Sequence, residues 1–354
     1  MGFDTFLLIL FFVFIIGGVI VFLRSKPKRK QRTDSLYTEA LDALLKGDDR
    51  RALLKLRDVV KQDSYHVNAY LQMGNVLRKK APQQAIKIHQ SLTVRPNLSD
   101  EMTIDIHQAL AQDYRAIDNY RRAKEEAELI LKVQRRNLWA TEFLLSLEEE
   151  NSNWAEAAQL AKLSQRIRNT DDKNQLAQYQ LYEGLDLIGQ KKKSEALSAF
   201  QKASKLDTSY GLPHKYIGDI YEEDRDLIKA IASWEKYAML DIENGQEVYG
   251  KIESALFDLG RFSEIEQFYR RLLEKDRSNL SALSKLANVL VEKGHGEEAL
   301  TLIDNALIMK NTSIHARLMK LKLSLDQKTP NELALQVDDI IDIVTQNSDH
   351  GSVE

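Results

Sequence analysis

The clearest alternation of apolar and polar positions lies between Leu280 and Ser313. Leu283, Leu286, Ala287 and Leu290 recur at spacings of three, one and three, which predicts a helix with one buried side. Gly294 and Gly296 interrupt it. Ala299, Ile303 and Ala306 then share one face of a second helix, and its alanines are small enough to let neighbouring helices approach closely. The pair predicts a helical hairpin. The residue opening the second helix recurs as Ala52, Ala85, Ala123, Ala157, Ala196, Ala230, Ile265, Ala299 and Ala334, at spacings of 33, 38, 34, 39, 34, 35, 34 and 35. So regular a period predicts an all-α solenoid of about nine helical hairpins over residues 33–346. The two long intervals fall in polar stretches, Arg95 to Asp100 and Asn169 to Asn174, where extra residues can be looped out. The hairpin from Gln246 departs from the pattern, because Glu253 and Ile265 replace small residues, and looser packing is expected there. After Pro330, a helix to about Gln346 carries Asp338, Asp339 and Asp342 among apolar positions, as a terminal cap with one polar face should. Residues 347–354 read as a disordered tail.

A different pattern opens the chain. Thr5 to Leu23 is a run of 19 residues without a charge, sixteen of them Phe, Leu, Ile or Val. At about 1.5 Å per residue it would reach roughly 28 Å, close to the thickness of a bilayer's hydrocarbon core. A cleaved leader would start with basic residues and end in small ones, whereas this run follows Asp4 and ends in Val21, Phe22 and Leu23. Residues 1–23 therefore predict one transmembrane anchor. Arg24, Lys26, Lys28, Arg29, Lys30 and Arg32 follow within a basic linker over residues 24–32. Positive flanks stay in the cytoplasm, so the hairpins are expected on the cytoplasmic side.

Composition narrows the chemistry. Charged residues make up 29% of the chain, with 15 glycines and 5 prolines, as expected for linked helices rather than disorder. The formal charge is −3, but residues 1–32 hold six of the basic residues and one acid, leaving 44 basic and 52 acidic residues for the rest. That balance argues against nucleic acid as a partner. With no cysteine, disulfides and thiolate metal sites are excluded. The seven histidines show no paired metal-ligand spacing, and His89, at a bulky position of its hairpin, is expected to be a packed core residue. No nucleophile motif or phosphate-cradling glycine loop is present, so no catalytic residue, cofactor or metal is assigned. Glu148–Glu150 and Lys191–Lys193 read as solvated helix ends and turns.

The cadence resembles the tetratricopeptide repeat, a unit of about 34 residues. The resemblance implies a concave wall built from first helices. In the second unit that wall would carry Asn68, Leu71, Asn75 and Arg78, and in the third Asp105, Gln108, Gln112 and Arg115. Spacings of three, four and three place each set on one helical stripe. Arg78 and Arg115, one repeat apart, could together clamp a carboxylate of a bound segment. Asn75 could hold its backbone by donating and accepting at once. Further along, Lys215, Asp219 and Glu222 make the wall more acidic.

Three stretches carry a closer resemblance: MGNVLRKKAPQQAIKIHQSL from Met73 to Leu92, LAQDYRAIDNYRRAKEEAELIL from Leu110 to Leu131, and NWAEAAQLAKLSQRI from Asn153 to Ile167. They resemble successive repeats of the lipopolysaccharide assembly protein B family, with the anchor ahead of them in the same order. The likeness covers roughly residues 1–346. It implies a single-pass protein of the bacterial inner membrane, facing the cytoplasm. In that family the scaffold works with a membrane ATP-dependent protease to set the level of the lipid A deacetylase. One feature of the family is missing: its closing rubredoxin-like module needs two Cys-x-x-C pairs, and this chain has no cysteine. A structural or assembly scaffold for envelope or cell-division complexes, without a proteolytic role, is the second reading. A repeat protein of the haem-biosynthesis type would carry two spans, against the one expected here.

Overall fold

A computed structural model describes residues 15–16, 32–309, 313–325 and 328–350. The expected span from Thr5 to Leu23 lies outside them apart from Ile15 and Ile16, as does the basic flank apart from Arg32. No helix among the described residues is long and apolar enough to cross a membrane.

Among the described residues the regular structure is all-helical, and it divides into two compact units, Met1–Thr170 and Asp171–Glu354. The boundary falls in the long polar interval after Asn169, whose left-handed backbone ends the helix before it. The first unit holds four hairpins: α1 (32–45) with α2 (Asp49–Gln62), α3 (Val67–Leu77) with α4 (Pro82–Thr93), α5 (Asp100–Arg115) with α6 (Tyr120–Val133), and α7 (Leu138–Glu150) with α8 (Trp154–Arg168). The second unit begins with α9 (Lys173–Gly189) and α10 (Lys193–Leu206), followed by α11 (Leu212–Glu223) and α12 (Leu227–Leu240). A 3-10 turn over Gly245–Val248 leads into α13 (Tyr249–Asp258) and α14 (Ser263–Lys275). Two more hairpins complete it: α15 (Leu280–Glu292) with α16 (Gly296–Met309), and α17 (Ile314–Ser324) with α18 (Pro330–His350).

Local chemistry sets these boundaries. Asp48, Asn119, Asn137, Asp226 and Asn279 each accept the backbone N–H three residues on, a helix cap contributing about 1 kcal/mol. One left-handed residue recurs in the hairpin turns: Gly47, Asp118, Ser152, Lys191, Arg225, Gly260 and Gly294. The α3–α4 turn closes without one, and Pro82 starts the next helix at once. That shorter turn accounts for the interval of 33 between Ala52 and Ala85.

The repeat alanines Ala52, Ala85, Ala123, Ala157, Ala196, Ala230 and Ala299 are completely buried, as their spacing predicts. Opposite them, glycines make room for rings. A Cβ added to Gly184 would come within 2.4 Å of Phe200, and one added to Gly218 within 2.4 Å of Trp234. Trp234, Tyr237, Phe268 and Tyr269 form the aromatic heart of the second unit, with Ile252, Leu286 and Ile303 around them.

The last helix departs from expectation in two ways. It runs to His350 rather than ending near Gln346, and it does not present a wholly polar outer face. Ala334 is exposed, as are Leu335, Val337, Ile341 and Val344, while Leu333, Ile340 and Ile343 are half-buried. The reason is positional: among the described residues no further hairpin packs on the side that Ala334 would fill.

Candidate functional site

In the first unit the predicted wall exists as a cleft of about 400 Å³ between α3 and α5. Asn75, Arg78, Gln108 and Gln112 line it, together with Leu71, Gln72, Asp105 and Ala109. Asn68 is exposed at the first turn of α3 and does not line it, and neither does Arg115.

The arginines do not act as a pair, which corrects the expected carboxylate clamp. Arg78 is spent within the protein. Its Nε donates to Asp113 Oδ1 at 2.6 Å, Nη1 to Gln112 Oε1 at 2.5 Å, and Nη2 to Asn75 Oδ1 at 2.7 Å and to the Ala109 carbonyl at 3.2 Å. Four of its N–H donors are thereby used, of about five that a guanidinium offers. Arg115 turns to the next first helix instead: Nη1 donates to Ser146 Oγ at 3.1 Å, Nη2 pairs with Glu150, and its guanidinium lies 5.6 Å from the Phe143 ring centre. Both arginines fasten one repeat to the next.

Behind Arg78 lies a buried polar network that sequence reading missed. Asp113 has no exposed side-chain surface, and it bridges Arg78 and His89. His89 is buried, as expected of a core residue, but it is not a mere apolar filler. Its Nδ1 stands 2.5 Å from Asp113 Oδ2 and its Nε2 3.0 Å from the Leu71 carbonyl oxygen. The Leu71 carbonyl can only accept, so Nε2 donates in that bond. A Cβ added to Gly74 would come within 2.2 Å of His89 Nε2, so this glycine admits the imidazole as Gly218 admits Trp234. The available signal was a histidine in an aromatic slot opposite a glycine, with an aspartate on the next first helix.

What remains for a ligand in this cleft is amide chemistry. The Gln108 side chain has no hydrogen-bond partner among the described residues, and the Gln112 side-chain nitrogen makes none there. Asp105 adds a carboxylate whose pKa is raised, first by burial and then by Glu101. Glu148, expected on a solvated helix end, is instead buried: Lys124 bonds its Oε1 at 2.6 Å and Asn153 its Oε2 at 2.7 Å.

In the second unit Lys215, Asp219 and Glu222 are all engaged. Lys215 pairs with Glu247. Asp219 accepts from Trp234 Nε1 at 3.0 Å and from Lys251 Nζ at 2.8 Å, and Lys251 also reaches Glu222 at 3.1 Å. Burial disfavours charge on Lys251, but its bonds to Asp219 and Glu222 outweigh that and hold its pKa up. The two carboxylates of the acidic wall expected here thus share one lysine of the next hairpin. Among the described residues no cluster of three or more metal-ligating side chains occurs.

Stacked hairpins with buried repeat alanines, ring-accepting glycines and a polar wall along the first helices define a tetratricopeptide-type helical-repeat protein. No protein-family model matches the chain. Curated proteins named lipopolysaccharide assembly protein B do match it: the Escherichia coli K12 protein is 23% identical over 285 residues, covering 80% of this chain and 73% of the relative. The Haemophilus influenzae protein of that name is 22% identical over 286 residues, covering 73% of this chain and 71% of the relative. The likeness seen in three stretches of sequence therefore extends over most of the chain. Solved structures are more distant. A tetratricopeptide repeat protein from Parabacteroides merdae is 14% identical, with a TM-score of 0.37 over 83% of this chain and 99% of its own. The Naa15/Naa10 complex bound to HypK is 16% identical, with a TM-score of 0.44 over 89% of this chain and 51% of its own. Likenesses at that level leave the class to be decided by the hairpins themselves.

Proposed function

We propose that this chain is a scaffold in the regulation of lipopolysaccharide assembly, tethered to the bacterial inner membrane by residues 5–23 with its hairpins on the cytoplasmic side. In this reading it links a membrane ATP-dependent protease to the lipid A deacetylase. The observation that carries it is the match to proteins named lipopolysaccharide assembly protein B across 80% of the chain. The apolar run followed by six basic residues supports the tether and its orientation. The spare side-chain amide of Gln108, which donates and accepts at once, and the spare amide nitrogen of Gln112 suit the backbone of an extended partner segment. Arg78 and Arg115 hold that wall together rather than binding the partner's carboxylates.

Three experiments test the reading. Affinity purification in mild detergent, with and without residues 1–32, should recover a membrane protease with the tethered chain alone. Deleting the gene should change the half-life of the deacetylase; unchanged turnover with altered complex formation would support an assembly scaffold without a proteolytic role. A reporter fused after Glu354 should behave as cytoplasmic, and activity of one that works only outside the membrane would reverse the topology.

A further inference from the structure

The hairpin that breaks the repeat pattern opens a second cleft, in the second unit. Glu253 stands where most other hairpins carry glycine or alanine, and Ile265 where they carry alanine. Glu253 cannot be accommodated as an apolar contact, so it is tied down: Tyr269 Oη donates to its Oε1 at 2.7 Å and Lys285 Nζ to its Oε2 at 2.7 Å. Ile265, longer than alanine, stays half-buried at the cleft instead of sealing the hairpin. The resulting space between α13 and α15 is about 430 Å³.

Its lining differs in kind from that of the first unit. Phe257 occupies the position on α13 that corresponds to Arg78 on α3, and it is 65% exposed. Phe262 packs edge-on against it, ring centres 5.1 Å apart, and is itself half-exposed. Val289 and Ile265 extend this apolar surface into the cleft. Ser254 and Gly250 lie one and two turns back on the same face of α13, and nothing lies within 4 Å of where a Gly250 Cβ would be. Contiguous exposed apolar surface is a feature of interaction sites.

Charge selects the occupant. Three carboxylates, those of Glu253, Asp258 and Glu292, line the cleft against one ammonium, that of Lys285, which Glu253 already holds. Asp258 and Glu292 have no ion-pair or hydrogen-bond partner among the described residues. The nearby Arg261 is paired with Glu264, Lys293 with Glu266, and Lys322 bonds Asn288 at 3.2 Å. Arg261 and Lys293 are thus paired with acids outside the lining, Lys322 reaches the cleft only through the amide of Asn288, and Asp258 and Glu292 are left without a partner among the described residues.

We propose that this cleft docks a basic amphipathic segment of a partner protein. An apolar side chain sits on Phe257, Ile265 and Val289, and flanking lysine or arginine side chains pair with Asp258 and Glu292. Each of these exposed carboxylates adds little affinity by itself, and the two together bias recognition toward basic and against acidic segments.

Selection of random 12-residue peptides displayed on phage against the full chain in detergent micelles tests this. Enriched peptides should combine an aliphatic or aromatic residue with lysine or arginine within about four positions, one turn of helix. Synthetic versions should bind the Asp258→Lys/Glu292→Lys chain at least tenfold more weakly, and the neutral Asp258→Asn/Glu292→Gln chain by an intermediate factor. Phe257→Ala should weaken binding about fivefold or more, with circular dichroism unchanged. Failure to enrich any sequence, enrichment of acidic peptides, or equal binding by the charge-reversed chain would overturn the proposal. A synthetic peptide of residues 24–32 binding this cleft more tightly than the selected peptides would replace the partner with the chain's own basic linker.

Discussion

The two clefts occupy the same structural position on their hairpins and have opposite chemistry. Between α3 and α5 the position nearest the end of the first helix is Arg78, folded back onto a buried aspartate; between α13 and α15 it is Phe257, standing in solvent. The difference shows that exposure on the wall of a repeat protein is not set by repeat position alone. In the first unit a polar side chain found a buried partner one repeat away and became part of the framework. In the second, the framework is closed by Trp234 and Tyr269 against Asp219 and Glu253, and the wall residue is left free.

The largest test of this contrast is removal of Arg78. Arg78→Ala leaves the fully buried Asp113 with His89 as its remaining side-chain partner, and breaking such a pair typically costs about 3 to 5 kcal/mol. Urea unfolding should register that loss, whereas Arg115→Ala, whose bond to Glu150 is well exposed, should cost about 1 kcal/mol or less. Equal effects would mean that the buried network does not fasten the repeats.

A smaller effect separates two glycines of the second unit. Gly218→Ala drives a methyl into Trp234 and should lower stability by about 1 to 3 kcal/mol. Gly250→Ala meets nothing within 4 Å and should be neutral or stabilising, by up to about 1 kcal/mol, from helix propensity. Thermal melts of the two variants check this; a destabilising Gly250→Ala would show that its face of α13 is packed rather than open.

The smallest effect concerns acidity. Burial, and then the charge of Lys236, lower the pKa of His214 below its ordinary 6.5. The unfolded chain therefore binds this proton more readily than the folded one. Stability from this residue is complete above about pH 6.5 and is lost as the pH falls through that value toward the lower folded one. Unfolding of the wild type and of His214→Gln at pH 7.5 and 5.5 should show a slightly smaller loss on acidification in the variant.

The hairpin period was legible because it rests on local requirements: a small residue where helices meet, a ring facing it, a cap and a turn. Each of these is met within about 34 residues of chain, so the intervals between alanines also indicated where loops lengthen. The looser hairpin was legible for the same reason, since Glu253 and Ile265 violate a packing rule that can be read residue by residue. Stripe geometry also brought Asn75, Arg78, Gln108 and Gln112 to one cleft correctly.

What sequence could not decide was which of those polar residues are free. Arg78 and Asp113 are 35 positions apart, and only the stacking of α3 against α5 brings them together. Glu148 was read as solvated because neighbouring glutamates are, yet the turn into α8 and Lys124 of the preceding hairpin enclose it. The sequence by itself determined the helices, their period and the apolar run at the start, because these follow from side-chain size, periodicity and hydropathy. The tertiary structure alone decided which charges are consumed between repeats and which face solvent. Pairing of that kind depends on distances of a few ångströms across helices, and a linear pattern does not encode them.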